Sequence, residues 1–269
     1  MLGEIIIQTR LRSPLVHCIT NYVSANDCAN LLLACGASPI MADGLDEVAE
    51  VTAMCDGLVL NMGTPNPRKM EAMLKAGQEA NCLGHPVVLD PVGVGSSAMR
   101  RNGARRLLEQ VRFAAIRGNA SEIATLVRGT AAHRGVDADA DSNVAIAAER
   151  NARHLAKQTG AVVIVTGDTD IVADGSTCYR VMNGHPMMRL VTGAGCQLSA
   201  LIGAYVTANP ERPLEAALAA VCAMGLCGEI AHSRLSSLDG NASYRNYIID
   251  AIYRMTPEML EKGANYEVR

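Results

Sequence analysis

The chain has 269 residues, 24 of them basic and 27 acidic, with a formal net charge of −3; that length suits one large α/β domain or two small ones. Hydrophobic residues make up 49 % and charged residues 19 %, which excludes a disordered chain. With no Trp, one Phe, seven Tyr and no basic run, it lacks both the stacking platforms and the phosphate-neutralising surface of a nucleic-acid-binding protein.

The N-terminal stretch MLGEIIIQTRLRSP is too short and too interrupted by charge for a secretory signal. Beyond it, short apolar runs alternate with longer helical patterns, the signature of βαβ units around a mainly parallel sheet. Strands are predicted over 16–20, 38–41, 57–61, 86–90, 114–117 and 162–166, and helices over 25–35, 46–53, 67–81, 98–110, 120–127 and 142–159. Most of these strands are apolar without alternation, as expected where helices cover both faces. The polar, acidic segment 129–141 reads as a surface excursion. After Thr166 the pattern changes: 170–174 and 177–182 flank Asp174-Gly175-Ser176, a tight turn that reads as an antiparallel hairpin. The last third is helical, over 193–208, 214–232 and 244–253, the last following a polar turn at Asp239-Gly240-Asn241. The uncharged run 190–210 carries Thr192, Gln197, Ser199 and Asn209, so it reads as a buried helix and not a membrane span. No linker, repeat or charge block divides the chain, and one domain over 1–269 is expected.

Nine cysteines occur singly, with no CxxC and no Cys/His cluster at zinc spacing. Scattered cysteines in apolar runs fit packing in a reducing compartment, so a cytoplasmic protein is expected.

In a parallel sheet, ligands gather at the carboxyl ends of the strands. Polar residues fall at those ends here: Asn21, Asn61, Asp90, Arg117 with Asn119, and Thr166. Gly93-Val94-Gly95-Ser96-Ser97-Ala98 formally matches a dinucleotide fingerprint. It follows the fourth strand, after an Asp-Pro pair, and lacks the acidic residue about twenty positions on that reads a ribose. A glycine turn with serine caps for the next helix is the better reading. Asn119-Ala-Ser-Glu122 is a capping box by spacing; Glu122 beside Asp90 also suits a hydrated magnesium ion, and both roles can hold. Thr192-Gly193-Ala194-Gly195-Cys196-Gln197 places two glycines before a long apolar helix. Its first amides suit an anion such as a phosphoryl group in transfer, with Cys196 in the first turn, where a helix end favours negative charge. The alternative is a tight turn before a helix with a small buried cysteine.

Taken together, VHCITNYVSANDCAN (16–30), ASPIMAD (37–43), LDPVGVGSS (89–97), IRGNASEI (116–123), VVIVTGDTDIV (162–172) and TGAGCQLSALIGAY (192–205) resemble the hydroxyethylthiazole kinases of the ribokinase-like superfamily. The resemblance runs through most of the chain. It implies a three-layer α/β/α fold with a mainly parallel central sheet and no separate lid domain. It also implies ATP-dependent phosphorylation of 4-methyl-5-(2-hydroxyethyl)thiazole, a salvage step towards thiamine. By matching position, Asp90 and Glu122 would hold Mg²⁺, and Arg117 and Thr166 would contact ATP. Met41 and Gly193 would line the thiazole pocket, with Asn21 a further candidate. Cys196 stands where most of the superfamily has a catalytic Asp, and is expected to assist proton removal from the alcohol. The resemblance further implies a homotrimer with active sites near subunit contacts. Two other activities fit related folds: phosphorylation of another small alcohol such as hydroxymethylpyrimidine, and nucleotide-dependent hydrate dehydration. A thiazole sensor without catalysis is a third reading, opposed by Asp90, Glu122 and the glycine turn.

Overall fold

A computed structural model describes residues 2–129 and 141–269. Nine strands form one sheet in the order β2-β1-β3-β4-β5-β6-β7-β8-β9. Six strands run parallel: β1 (Leu15–Ile19), β2 (Ser38–Ile40), β3 (Gly57–Asn61), β4 (Val87–Asp90), β5 (Ala115–Asn119) and β6 (Val162–Thr166). Three antiparallel strands, β7 (Asp170–Ala173), β8 (Cys178–Val181) and β9 (Tyr266–Val268), extend the same sheet. Among the described residues no second sheet stands over the parallel edge.

Helices cover both faces, and alternate strand residues serve the two cores. Val16, Cys18, Val59, Val88 and Ile164 pack against α1 (Leu2–Arg12), α2 (Ala25–Cys35), α8 (Ala194–Ala208), α9 (Pro213–Ser233) and α10 (Asn241–Arg254). Ile19, Leu58, Leu60, Leu89, Val163 and Val165 pack on the other face. There the cover is α3 (Val48–Met54), α4 (Pro67–Leu83), α5 (Ala98–Gln110), α6 (Ala120–Arg128) and α7 (Asp141–Thr159). Burial on two faces explains why these strands lack a polar side. The fold class is therefore the three-layer α/β/α expected. α9 is long and apolar enough to cross a membrane, yet 72 % of its apolar window is buried inside the molecule; α8 is likewise a core helix.

Several boundaries differ from the sequence reading. β5 runs two residues past the predicted 114–117, through Asn119, whose side chain then caps α6. β2 stops at Ile40, which leaves Met41 beyond the strand. α1, α11 (Pro257–Gly263) and β9 were not predicted. α1 is amphipathic, with Leu2, Ile5 and Ile6 buried, while the three residues of β9 are all exposed and carry no burial pattern. Most of the acidic excursion, 130–140, lies outside the described residues. The Gly93 turn is followed by a 3₁₀ turn and by Ser97, whose side chain accepts from the Arg100 amide at the start of α5. The serine cap is real, and the dinucleotide fingerprint is not needed to explain it.

Candidate active site

The order of strands reverses between β1 and β3, and a crevice opens at such a switch point beyond the carboxyl ends. There the predicted strand-end polar groups form one connected row. Asn21 Nδ2 donates to Cys196 Sγ at 3.1 Å and lies 3.0 Å from Asn61 Oδ1. Asn61 Nδ2 donates to Asp90 Oδ2 at 2.7 Å, and Ser199 Oγ donates to the same oxygen at 2.8 Å. Arg117 Nη1 lies 3.6 Å from Asp90 Oδ2, while Arg117 Nη2 donates to Thr166 Oγ1 at 2.6 Å. The row thus passes from Cys196 through Asn21, Asn61, Asp90 and Arg117 to Thr166, crossing β1, β3, β4, β5 and β6 in sheet order. Register makes this possible: Asn61 is the strand partner of Asp90, and Asn119 of Thr166.

The α8 terminus closes over the row. Gly193 caps the helix with φ +80°, a left-handed conformation that L side chains avoid. A Cβ there would also lie 2.6 Å from Ser24 Cβ. At Gly195 a Cβ would fall on the Arg117 guanidinium. Both glycines therefore permit close approach: the first to the β1–α2 loop, the second to the cation. Ala194 N donates to Val191 O at 3.3 Å; the next two amides of α8, those of Gly195 and Cys196, have no acceptor within the helix, and Gly195 stands against the Arg117 guanidinium. Cys196 is half-buried, whereas Cys82 is exposed and the other seven cysteines are buried.

Asp90 is fully buried. Burial pushes its pKa up to about 6; the Arg117 guanidinium opposes that rise, and the Glu122 charge adds to it. Its Oδ1 has no hydrogen-bond partner. Glu122 completes the capping box, with Oε2 accepting from Asn119 N and Asn119 Oδ1 accepting from Glu122 N. Glu122 Oε1 accepts from Gly93 N at 2.8 Å. The glycine turn after β4 is thereby tied to the helix after β5, and one carboxylate serves both.

Beside the row lies a cavity of about 520 Å³. Arg117, Thr166 and Gly195 line it together with the apolar Met182, Met188, Val221 and Met224 and the polar Asn183 and His185. Arg189 and Asp168, both on its rim, form an exposed ion pair. Asp170 also lines the cavity, and burial pushes its pKa up to about 6. A cavity of mixed lining that holds a fixed cation beside a helix start suits a nucleotide with its phosphates towards Arg117.

The structure thus brings Cys196, Gly193, Asp90, Glu122, Arg117 and Thr166 to one edge. Met41 is apart from the row, beyond the edge strand β2 and 38 % exposed. Asn61 and Ser199 belong to the site with a larger part than the sequence reading gave them. Asn61 was visible as a strand-end polar residue. Ser199 sits inside an apolar helix, one turn after Gly195, and nothing in the sequence reading marked it as a site residue.

Known proteins resemble this chain over nearly its full length. The family model described as "Hydroxyethylthiazole kinase family" matches residues 6–258. A hydroxyethylthiazole kinase from Clostridium acetobutylicum is 54 % identical over 271 aligned residues, covering 99 % of each chain. The solved structure of a hydroxyethylthiazole kinase protein from Pyrococcus horikoshii OT3 superposes with a TM-score of 0.88 at 33 % identity, over 100 % of this chain and 98 % of that one. A pyridoxal kinase from Staphylococcus aureus, 14 % identical with a TM-score of 0.64 over 95 % of this chain and 97 % of its own, shares the ribokinase-like fold. The chain belongs to the hydroxyethylthiazole kinase family.

Proposed function

We propose that this protein transfers the γ-phosphoryl group of ATP to the hydroxyl of 4-methyl-5-(2-hydroxyethyl)thiazole, a step of thiamine salvage, and that one domain spanning 1–269 does so. The observation that carries the reading is the row from Cys196 to Thr166 at the mouth of a nucleotide-sized cavity. Phosphoryl transfer passes through a loose transition state, so positioning and charge neutralisation do most of the work. Arg117, held by Thr166 and Asp90, neutralises phosphate charge, and the first amides of α8 cradle the group in transfer. As the thiolate, Cys196 accepts a hydrogen bond from the acceptor hydroxyl and takes its proton late, becoming the thiol, while the Asn21 amide donates to the same sulfur. Gly193 keeps the turn close to the β1–α2 loop, where the thiazole ring would lie. Met41 reaches that ring only from beyond the sheet edge, which fits a pocket completed near a subunit contact.

Asp90 and Glu122 are the residues that would hold Mg²⁺. They fit a hard divalent ion: Asp90 Oδ1 is buried without a partner, and the two carboxylates repel one another. Among the described residues no three His, Cys, Asp or Glu side chains gather, so phosphate oxygens and water would complete the coordination shell. Bound there, the ion would neutralise charge on the transferred phosphoryl group.

A homotrimer is supported by exposed Tyr22, Val23 and Met41, which flank the crevice. A cytoplasmic location is supported by nine unpaired cysteines. The experiment that tests the activity is incubation with ATP, Mg²⁺ and the thiazole alcohol, with mass detection of the phosphate ester. No ester at high enzyme concentration overturns the reading.

A further inference from the structure

Lys69 is a buried cation that the transfer chemistry above does not use. It stands in the first turn of α4, its N–H capped by the Asn66 side chain, where the helix dipole disfavours positive charge. Its side chain is 2 % exposed. Burial pushes its pKa down, and Asp43 opposes that fall. A lysine that meets both penalties is retained only where its partners offset them.

Those partners come from two loops. The Lys69 ammonium donates to Thr20 O, lies 3.5 Å from Asp43 Oδ2, and sits 4.5 Å from the centroid of the Tyr22 ring. Tyr22 donates its hydroxyl to the same Asp43 oxygen at 3.1 Å. His17 Nε2, from β1, is 2.8 Å from Ala42 O. One ammonium therefore joins Thr20 and Tyr22, after β1, to Asp43, after β2, and His17 holds the adjoining Ala42. The first loop carries Asn21, whose amide donates to Cys196 Sγ; the second follows directly on Met41. The neighbouring α4 contacts differ in kind: Arg68 and Asp46 pair at 2.7 Å with side chains 67 % and 90 % exposed, and water readily replaces such a pair.

We propose that Lys69 is a positioning residue for the acceptor alcohol, joining the Thr20–Tyr22 and Ala42–Asp43 segments as two walls of one pocket and so holding Asn21 against Cys196. This rests on the assignment of Asn21, Met41 and Cys196 to the acceptor side. It accounts for a charge placed where both helix and core disfavour it. It also separates acceptor binding from nucleotide binding, because no Lys69 partner lines the 520 Å³ cavity.

The test compares full-length wild type, Lys69→Met, Asp43→Asn and the double variant. It measures KM for the alcohol and for ATP separately, with calorimetric binding of the alcohol alone. Lys69→Met is expected to raise the alcohol KM and Kd about tenfold and to leave the ATP KM within about twofold. Asp43→Asn shifts the alcohol values the same way by less, and the double variant is no worse than Lys69→Met. An unchanged alcohol KM in folded Lys69→Met overturns the proposal, as does an equal rise in both KM values or a fall in melting temperature alone. Should Lys69→Met not fold, the part-exposed Asp43→Asn decides by the same split. Wild type that binds the alcohol but forms no ester overturns the kinase reading, while the calorimetric comparison still decides the role of Lys69.

Discussion

Asn21 Nδ2 lies 3.1 Å from Cys196 Sγ, so the thiol at the start of α8 is held from the end of β1, across 175 residues of sequence. The Asn21 carbonyl is itself fixed, accepting from the amides of Val23 and Ser24 and from Ser24 Oγ. The amide therefore cannot rotate away without breaking its own turn. A sulfur so placed is held in one direction, which a merely packed cysteine does not need and the proposed role towards the acceptor hydroxyl does.

That relation predicts an order of single-turnover rates. Cys196→Ala removes the acceptor of the Asn21 amide and the proposed late proton acceptor, and is expected to slow transfer by roughly 10²-fold, the lower range for a general base. Cys196→Asp offers both functions and retains activity, while Cys196→Ser falls between. Rapid-quench measurement with saturating ATP checks the order; a normal rate in Cys196→Ala removes Cys196 from the mechanism.

Asp90 predicts opposite effects on stability and rate. Burial raises its folded pKa to about 6, above the roughly 3.9 of an unfolded Asp. The folded state therefore binds more protons between these values, and stability falls as pH rises from about 4 to 6. The ionised carboxyl at neutral pH then carries a penalty of about 3 kcal/mol, at 1.36 kcal/mol per unit. Asp90→Asn avoids it, keeps an oxygen for Asn61 and Ser199, and loses the partner of Arg117. Melting in chelator should shift in favour of the variant as pH rises from 4 to 7, while transfer activity drops at least about 10²-fold. A constant difference in melting temperature across that range excludes the raised pKa.

Gly195 predicts a nucleotide-side defect. Arg117 occupies the space a Cβ at 195 would need, and the same cation is bound to Thr166 and Asp90. Gly195→Ala must displace the guanidinium from the phosphate end of the cavity. The ATP KM is expected to rise about tenfold or more, the loss of roughly one charge-assisted contact, with little change in binding of the alcohol. Isotope-free initial-rate kinetics with each substrate varied in turn separate the two; an unaltered ATP KM moves Arg117 away from the phosphates.

Much of this site was legible in the sequence because strand ends are. Asn21, Asn61, Asp90, Arg117 and Thr166 each close an apolar run, and parallel register then sets Asn61 beside Asp90, while Arg117, inside β5 and opposite Ile164, reaches Thr166 and Asp90 through the length of its side chain. Glu122 was legible twice, as a cap and as a carboxylate, and it performs the first role while standing beside Asp90. Ser199 and Lys69 were not legible as site residues. Each lies within a helix, where periodicity reports which face is apolar but not what stands opposite, and their partners lie 109 and 49 residues away. Met41 was legible only through resemblance, since nothing in its local pattern separates a pocket methionine from an edge-strand one.

The exposed loop after β1 carries the last prediction. Tyr22 and Val23 are 68 % and 63 % exposed, immediately after Asn21 at 5 %. Two large side chains standing in solvent beside the buried Asn21 amide suit a surface covered in the proposed homotrimer. Tyr22 also packs on Lys69, so Val23, whose contact with Asn21 is through its backbone N–H, is the cleaner position to change. In the homotrimer proposed above, Val23→Asp would place a charge in the contact without disturbing the turn, and is expected to dissociate it. Because the crevice opens at that surface, the alcohol KM should rise with dissociation while ATP binding persists. Light scattering across a concentration series, read beside the two KM values, checks both: a Val23→Asp protein that stays trimeric with wild-type kinetics places the subunit contact elsewhere.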